Sequence, residues 1–461
     1  MKFAWKKRLL SVVCAVMAAV MFVGCGSSSS SAAANTDGSA VGSSSAEGGE
    51  KERREVTATV MQSRNVPGLQ KMIDKLAEEE NIVVDLQVVP DDQYDNLIKM
   101  KLNSGEAPDL IDYNMPKICG FLGNEPEKYL VDLSDEPWVE RMFSAENYEF
   151  DGKIYGYPFC NIAGFQAMLY NKDVFEAAGI TEAPTTKDEF NAACEKIKAI
   201  NVDPILLPSD SWVPQIWMTA GYAQAMGTTE AAAEFSEKLF TNQDKLTNHP
   251  EMAAVIDDFV SNVTAGYVND DWMTVTHDEC IQRLATGKGA MYYQNGVSIV
   301  ANIAKSFPDA NIGMFLYPAE FNANGMLSVT ATSPGFSVWK DSKNLETAKE
   351  VLRLFSEPDY AELYYTEGNG RFPALKDVDG GEIPQVTLDF YNKYIEEGKT
   401  VVEMNTHWNT IQALQSSTLW IYYQEAAQGK MGGEELLERF QVDVECFGCE
   451  DARIGTACSS V

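Results

Sequence analysis

The sequence predicts an α/β fold divided into two domains, and two observations lead to that prediction. Strand-like and helix-like segments alternate from residue 55 onwards, and about 400 residues follow the polar N-terminal region, which is more than one hydrophobic core usually holds. Alternation of this kind requires crossover connections, so a mainly parallel sheet covered by helices is expected. Ligands of such sheets lie beyond the carboxyl ends of the strands, which makes the segments directly after the strands candidate binding segments.

The individual elements follow from periodicity and from signals at their ends. Residues 55–61 alternate apolar and polar side chains, as a half-buried strand does. Residues 67–81 begin with a proline and repeat apolar residues at helical spacing, and residues 91–105 end on a glycine. The predicted elements are, in chain order, strand 55–61, helix 67–81, strand 82–90, helix 91–105, strand 108–113, a helix at 185–200 capped by Thr185 or Thr186 with Glu189, and a helix over 344–365 interrupted near Pro358.

The first 54 residues contain targeting and tether signals. Three lysines and an arginine precede a short apolar run that ends in Gly24-Cys25, which predicts an export signal peptide over residues 1–24. The sequence FVGC is similar to a bacterial lipobox, in which Cys25 is lipidated and holds the protein on the extracellular face of the cell membrane. Residues 25–54 are rich in Ser, Gly and Ala and predict a flexible tether. An uncleaved transmembrane anchor is the alternative interpretation of the apolar run.

The charge of the chain excludes some partners. There are 36 Lys and Arg residues against 68 Asp and Glu residues, a net charge of −32, and removal of the basic signal peptide makes it about −36. Such a charge repels nucleic acid and anionic lipid surfaces, so no nucleic-acid partner is expected and contact with the membrane is expected through the lipid anchor only. The same charge favours a neutral or cationic ligand.

The cysteines do not form a recognisable framework. Nine are present, and Cys14 and Cys25 belong to the signal peptide and the lipobox. The other seven are an odd number, so free or loosely paired thiols are expected. Three of them lie in a Cys-containing tail at residues 446–461, where the sequence CFGC is also compatible with a redox pair or half of a metal site.

Known catalytic motifs are missing from the sequence. It contains no phosphate-binding loop, no dinucleotide fingerprint, no H-E-x-x-H and no G-x-S-x-G, and its three histidines have no metal-ligand spacing. We therefore predict no catalytic residue, no metal site and no cofactor. A glycoside hydrolase with paired carboxylates stays open as an alternative, since acidic residues are numerous and nothing marks one pair.

An ordered set of segments resembles a known family over nearly the whole mature chain. The segments are LNSGEAPDLIDYN, FDGKIYGYPF, LYNKDVFEAAGITEAPTTKDEF, LATGKGAMYYQNG and SPGFSVWKDSKNLETAKEVLRLF. They stand in the order found in extracellular solute-binding proteins of family one, the sugar-capturing lipoproteins of ABC importers. The resemblance implies a two-lobed clamp of the type II periplasmic-binding-protein kind, with the ligand between the lobes and a hinge of three crossovers.

The resemblance also implies the limits of the lobes. The chain would leave lobe one near residues 161–165, return near residues 333–335, and cross again after GRFPALKD. Lobe one would comprise residues 55–163 and 335–376, and lobe two residues 164–332 and 377–445.

Aromatic side chains are candidates for stacking on the apolar face of a sugar ring. The tryptophans with polar or turn-forming neighbours are Trp212, Trp272 and Trp408, and the last lies in a segment that is similar to a late helix starting at the family's cleft. Trp217 follows Trp212 by five residues, a spacing that puts the two rings on different helix faces. Trp217 is therefore expected to face the core.

Charged and amide side chains are candidates for binding sugar hydroxyls. They follow the strand ends, in the segments SRNVPG, DYNMP and LPSDSW, or lie near the crossovers. Alternatives are a helix N-cap for Asp210 and a solvated side chain for Arg371. Val297 stands where relatives have an aromatic residue, so the identity of the sugar does not carry over. The predicted set is Arg64 and Tyr113 from lobe one, together with Asn161, Asp210, Asn295 and Arg371.

The sequence thus predicts a monomeric, lipid-anchored binding protein that captures a mono- or oligosaccharide and delivers it to the permease subunits of an ABC importer. It makes and breaks no bond. The alternatives are a binding protein for a peptide or a polyamine, a secreted glycoside hydrolase, and an adhesin or sensor lipoprotein.

Overall fold

The computed structural model describes residues 51–451, apart from residues 211, 366–370, 409–410 and 412–413. The predicted signal peptide, Cys25, most of the tether and the end of the tail lie outside the described residues. The strands are β1 (Arg54–Met61), β2 (Ile82–Val89), β3 (Leu110–Met115), β4 (Glu149–Phe150), β5 (Lys153–Ile154), β6 (Tyr157–Pro158), β7 (Gly164–Asn171), β8 (Asp203–Ile205), β9 (Gly289–Asn295), β10 (Ile312–Phe315), β11 (Leu327–Thr330), β12 (Ser333–Val338) and β13 (Thr400–Val402).

The helices surround these strands and fill most of the second half of the chain. They are α1 (Pro67–Glu80), α2 (Asp91–Ser104), α3 (Lys117–Phe121), α4 (Lys172–Ala177), α5 (Lys187–Ala199), α6 (Trp212–Met226), α7 (Thr229–Phe240), α8 (Pro250–Thr264), α9 (His277–Ala285), α10 (Ser298–Ser306), α11 (Leu345–Ser356), α12 (Pro358–Tyr365), α13 (Gln385–Phe390), α14 (Met404–His407), α15 (Trp420–Ala427) and α16 (Gly433–Asp451). Two π-helical turns, Tyr391–Ile395 and Gln415–Leu419, continue α13 and precede α15.

Lobe one is built on a five-stranded sheet of order β2-β1-β3-β12-β6. Strands β1, β2 and β3 are parallel, as the alternation of strands and helices predicts. Strand β12 returns from much later in the chain and pairs antiparallel with both β3 and β6. The helices α1, α2, α11 and α12 cover this sheet, and their apolar residues form one core with those of β1 and β3.

Lobe two is built on a mixed sheet of order β13-β11-β7-β9-β8, with β10 also paired to β7. Strand β7 runs antiparallel to β9, β10 and β11. The expectation of a mainly parallel sheet is therefore wrong for this lobe. That expectation came from the βαβα pattern of residues 55–113. Strand β7, in contrast, enters lobe two directly from lobe one, and no crossover helix joins it to its partner strands in a parallel arrangement.

The chain passes between the two sheets three times, and this confirms the two-lobed α/β fold with three crossovers. It goes from β6 to β7, returns from β11 to β12, and leaves lobe one again between α12 and α13. Each lobe has its own hydrophobic core. The residue limits of the lobes stay a prediction.

Two glycines permit close packing at the crossings. A Cβ atom on Gly335, in β12, would lie 2.1 Å from the carbonyl oxygen of Tyr157 in β6. A Cβ atom on Gly164, at the start of β7, would lie 1.9 Å from the side-chain nitrogen of Asn295. Larger residues at these positions would push the crossing strands apart.

The predicted local elements are confirmed for the first part of the chain and for two later helices. The capping box of α5 uses Thr186 and Glu189, and α2 ends on Gly105 in the left-handed region. The third strand extends two residues beyond its predicted end, to Met115. The predicted break near Pro358 separates α11 from α12.

The described cysteines and helices add three findings. Cys119, Cys160, Cys194 and Cys280 are buried free thiols, and burial raises the pKa of Cys119 to about 12. The CFGC sequence lies within α16, so the tail begins inside a helix instead of following it. Among the described helices, none combines the length and the apolar composition that a membrane span requires.

Candidate functional site

Polar side chains gather at the sheet edges where the chain passes between the lobes. In lobe one this edge contains the end of β3 and the start of β12, because Met115 is paired with Ser333. In lobe two it contains the start of β7 and the end of β9, because Gln166 is paired with Asn295. Both edges adjoin the crossings, so the residues that follow β1, β3, β9 and β13 face the region between the lobes.

Arg64 organises the lobe-one side of this region. It ends a short 3-10 turn after β1 and donates from Nη1 to Asp112 Oδ1 and from Nη2 to Asn114 Oδ1, each over 3.0 Å. Asp112 and Asn114 alternate with Tyr113 along β3 and therefore share one face of the strand. Burial raises the pKa of Asp112 against the opposing effect of the Arg64 charge, and the backbone N–H of Met61 also donates to this carboxylate.

Lys117 of lobe one and Glu403 of lobe two each change the pKa of the other through their charges. Lys117 begins α3 directly after β3 and is 9% exposed, while Glu403 follows β13 and is 4% exposed. Burial lowers the pKa of Lys117 and the Glu403 charge raises it in part, whereas burial raises the pKa of Glu403 and Lys117 opposes that rise. Gln166 and Thr330, which form a hydrogen bond with one another, lie beside Glu403 and also oppose the rise of its pKa. The site therefore combines a lysine of lobe one with a carboxylate of lobe two.

Arg371 lies at the point where the three crossings meet. It is half-buried, and its guanidinium hydrogen-bonds the Cys160 thiol of the first crossing. That thiol lies 3.2 Å from the Ser333 hydroxyl of the second crossing. The charge of Arg371 also acts on Arg64 and opposes its protonation. Arg371 is thus not a solvated surface side chain, and its contact with a ligand stays a prediction.

Several buried polar atoms near the crossings between the lobes have no hydrogen-bond partner within the described residues. A buried donor or acceptor without a partner is costly, and such atoms are uncommon in folded proteins. Six of these buried atoms lie near the crossings or in the segment after Glu403. They are Asn161 Oδ1, Gln166 Oε1, Gln294 Nε2, Asn405 Oδ1, Thr406 Oγ1 and His407 Nε2. Burial lowers the pKa of His407 to about 4, so its imidazole is neutral at pH 7. This edge can accept and donate hydrogen bonds to a ligand without breaking existing ones.

The segment that contains Asp210 and Trp212 borders lobe two after β8. Asp210 accepts a hydrogen bond of 2.9 Å from the backbone N–H of His277, the first residue of α9, whose N-cap is Thr276. Trp212 is half-buried with its ring edge-on to His277, at a centroid distance of 4.8 Å. The His277 ring nitrogen Nδ1 and the Tyr292 hydroxyl lie 2.6 Å apart. This network holds the Trp212 indole at the lobe surface.

Two other predicted residues are already engaged within the protein. Tyr113 faces the core of lobe one, stacks on Phe121 and places its hydroxyl 3.5 Å from Asp95 Oδ2. Asn295 accepts from the backbone N–H of Val297 and donates to the carbonyl of Ala163. Both side chains thus have partners within the protein, and their contact with a ligand stays a prediction.

The prediction for Trp408 is also corrected. Trp408 is 0% exposed and packs in the core of lobe two against Tyr222 and Phe440. A ring enclosed on all sides cannot stack on a ligand. Trp272 lies half-buried in a turn and stays a candidate, and Trp217 is 6% exposed and packs on Tyr293, as expected of a core residue.

The sequence did not identify Asp112, Asn114, Lys117, Gln166 or Glu403. The segment DYNMP was marked as a strand end, and β alternation could have selected Asp112 and Asn114 on the face opposite to Tyr113. Lys117 follows that segment by one proline. Glu403 is one acidic residue among 68, and nothing in its neighbourhood distinguishes it.

A groove of about 840 Å³ opens elsewhere on lobe two, between residues of β10, α5 and α13. Its lining includes Lys187 and Tyr317, which bond to one another and to Asp258. None of the six unpartnered atoms lines it. Within the described residues, no group of three or more His, Cys, Asp or Glu side chains is arranged to hold a metal ion.

Comparison with known proteins points to one family. Residues 62–362 match the model of the family described as bacterial extracellular solute-binding protein. The multiple sugar-binding protein of Streptococcus mutans is 25% identical over 369 residues, which cover 78% of this chain and 84% of that protein. The melibiose/raffinose/stachyose-binding protein MelE of Bacillus subtilis is 22% identical over 332 residues, covering 68% and 73%. A solved structure of a chitin oligosaccharide binding protein matches with a TM-score of 0.70 at 21% identity, covering 86% of this chain and 99% of that one, which establishes likeness of fold.

Proposed function

The chain belongs to the bacterial extracellular solute-binding proteins, and on that premise we propose that it captures a carbohydrate between its two lobes. The observation that carries the proposal is the set of buried polar atoms without partners where the chain crosses between the lobes. A sugar presents many hydroxyl groups, each of which donates and accepts, so it satisfies such atoms on both lobes at once. The names of the curated relatives, which specify sugars, support the same ligand class.

Binding is the whole of the proposed activity. Trp212 and Trp272 supply half-buried aromatic surface for a sugar ring, and Arg64, Asn161 and Arg371 supply polar groups at the lobe-one side and the crossings. Rotation of one lobe about the three crossings encloses the ligand and exchanges its contacts with water for contacts with both lobes. No step of this mechanism makes or breaks a bond.

The cellular context completes the proposal. The export signal and Cys25 support a lipid anchor on the extracellular face of the cell membrane, and the tether gives the lobes reach from it. From there a monomer would hand its ligand to the permease subunits of an ABC importer. Metabolic labelling with a palmitate analogue tests the anchor, since Cys25→Ala would abolish the label if the lipobox is used.

A thermal-shift screen tests the ligand class. We expect at least one mono- or oligosaccharide to raise the unfolding midpoint of the purified chain, because a ligand that binds only the folded state stabilises it by mass action. The panel includes a peptide mixture and polyamines as the other solute classes. A midpoint raised by one of these and by no carbohydrate would overturn the sugar proposal. Chromatography of the stabilising sugar after long incubation separates binding from hydrolysis, since a hydrolase would release a product.

Two tryptophans of α6 should respond in opposite ways to substitution. Trp212→Ala removes a half-buried ring at the lobe surface and is expected to weaken sugar binding by about tenfold or more, with little change in stability. Trp217→Ala removes a ring packed on Tyr293 and Phe259 and is expected to lower the free energy of unfolding by about 3–5 kcal/mol. Calorimetric titration and urea denaturation of both variants measure the two effects. Equal loss of binding in both, with unchanged folding, would contradict this assignment.

A further inference from the structure

The imidazole of His277 lies between the Trp212 ring and the buried strand β9. Its nitrogen Nδ1 is 2.6 Å from the Tyr292 hydroxyl, and its ring centroid is 4.8 Å from that of the Trp212 indole. Its backbone N–H donates to Asp210 Oδ2 over 2.9 Å. Contacts with β9 and with the segment after β8 therefore hold His277 in place from two sides.

Both rings lie toward the edge of lobe two that adjoins the crossings. Strand β8 runs parallel to β9, so the two strands end at the same edge of the sheet. Strand β9 ends at Asn295, which is paired with Gln166 near the start of β7, directly after the first crossing. Beyond the end of β8, the backbone N–H of Ser209 donates to the carbonyl of Val275, which joins the segment after β8 to the start of α9. A ligand at the carboxyl ends of these strands would meet this part of lobe two.

The hydrogen bond with Tyr292 determines which nitrogen of His277 carries the proton. Burial lowers the pKa of His277, against the charges of Asp278 and Asp210, and burial raises the pKa of Tyr292, so at pH 7 the imidazole is neutral and the phenol keeps its proton. Tyr292 is 0% exposed, and His277 Nδ1 is the acceptor that the described residues provide for its O–H. A buried O–H without an acceptor is costly, so the hydroxyl donates to Nδ1 and the imidazole proton is on Nε2.

Two N–H donors of this cluster reach the surface of lobe two. In the part of the chain that the structure describes, His277 Nε2 and Trp212 Nε1 have no hydrogen-bond partner, and neither is among the atoms enclosed without one. Both groups donate and cannot accept in these protonation states. A ligand that contacts them has to offer lone pairs, as the hydroxyl and ring oxygens of a sugar do. The ammonium groups of a polyamine have none, so the polyamine alternative is disfavoured at this surface.

We propose that His277 is a ligand-binding residue whose Nε2–H donates to an oxygen of the sugar that contacts Trp212, and that Tyr292 is the positioning residue that keeps the proton on Nε2. The inference rests on the proposed function and adds a specificity-determining contact to it. A ligand whose oxygen at this point is missing would leave the donor without a partner in the closed protein, which lowers its affinity.

Two substitutions of His277 separate the roles of its two nitrogens. His277→Asn places an amide near the position of Nδ1 and lacks the outer donor, whereas the longer His277→Gln places an amide N–H near the position of Nε2. Calorimetric titration of the full chain with glucose, galactose, maltose, sucrose and raffinose first identifies the sugar that binds most tightly. We expect His277→Asn to weaken that sugar by about tenfold and His277→Gln to stay within about threefold of the unsubstituted chain.

His249 provides the matched control for these variants. Its two ring nitrogens each lie 3.0 Å from a carboxylate oxygen, one of Glu251 and one of Asp244, so neither is available to a ligand. His249→Asn should therefore leave the sugar affinity unchanged. Urea denaturation checks that each variant folds, so that a loss of affinity is measured on folded protein.

Nitrogen-15 NMR of the unsubstituted chain reads the position of the proton directly. The chain has three histidines, and the signal that disappears in His277→Asn belongs to His277. We expect the proton on Nε2, and a proton on Nδ1 would overturn the role of Tyr292. An unchanged affinity in His277→Asn, or equal losses in His277→Asn and His277→Gln, would overturn the donor role of Nε2 while the proposed function stands. Absence of binding by every sugar would overturn the proposed function itself.

Discussion

Replacing Arg64 with alanine should lower the free energy of unfolding by about 3–5 kcal/mol, because it leaves Asp112 buried without its counter-charge. The Asp112 side chain is 2% exposed and that of Arg64 is 16% exposed, so water can replace little of the lost interaction. Asn114 loses a hydrogen bond from the same guanidinium. The effect arises in the unliganded protein and requires no sugar.

Urea denaturation of the unliganded variant measures this effect. The matched control is Arg439→Ala, which removes an arginine that pairs with Glu435 at 2.6 Å on the surface of α16 and should change the free energy by only about 0.3–0.5 kcal/mol. Arg64→Lys retains the charge but offers no forked donor for both partners, so an intermediate loss is expected. If Arg64→Ala left stability unchanged and abolished only sugar binding, Arg64 would act on the ligand alone, and its support of β3 through Asp112 and Asn114 would be wrong.

Local structure was predictable where one physical signal dominates. The parallel strands β1 to β3 follow from alternation and β-branched residues, and the limits of α5 follow from the capping box of Thr186 with Glu189. These features depend on contacts within a few residues along the chain. The order of β12 and β7 within their sheets depends on pairing between distant segments, and no local pattern specifies it.

The site was predictable only in part, for a related reason. Arg64 and Arg371 were named because they follow a strand end and a crossover, and the structure pairs Arg64 with Asp112 and sets Arg371 against Cys160, while their contact with a ligand stays a prediction. Tyr113 was chosen for its ring, although alternation along β3 turns that ring away from the face of Asp112. Lys117 and Glu403 influence one another's pKa only because the chain folds, so nothing within either segment reveals their relation.

The net charge of the chain illustrates the limit of composition as a guide to the ligand. Composition sets the mean field around the molecule, which governs solubility and the approach of other macromolecules. The field inside a cleft depends on a few buried groups, and at short range these outweigh distant surface charges that salt screens. A net charge of −32 therefore does not specify the charge of the ligand.

Replacing Trp408 with alanine should lower the free energy of unfolding by about 3–5 kcal/mol and leave sugar affinity within about twofold. The ring is 0% exposed, with its centroid 5.9 Å from that of Tyr222 and 6.1 Å from that of Phe440. Alanine would open a cavity that the surrounding core residues of lobe two could fill only partly. The sequence predicted that this ring contacts the ligand. Measuring both the free energy of unfolding and the sugar affinity therefore decides between ligand contact and core packing.

Trp408→Phe is the matched variant for this test. It keeps most of the apolar volume and removes the indole N–H, which is buried without a partner among the described residues. Removing an unsatisfied donor is favourable and offsets part of the stability lost through the smaller side chain. Trp408→Phe should therefore lower the free energy of unfolding clearly less than Trp408→Ala. Both variants are compared by urea denaturation, and by calorimetric titration under conditions where each is folded. A tenfold loss of affinity in Trp408→Ala at unchanged stability would show that the ring contacts the ligand, because truncating a core residue lowers the free energy of unfolding.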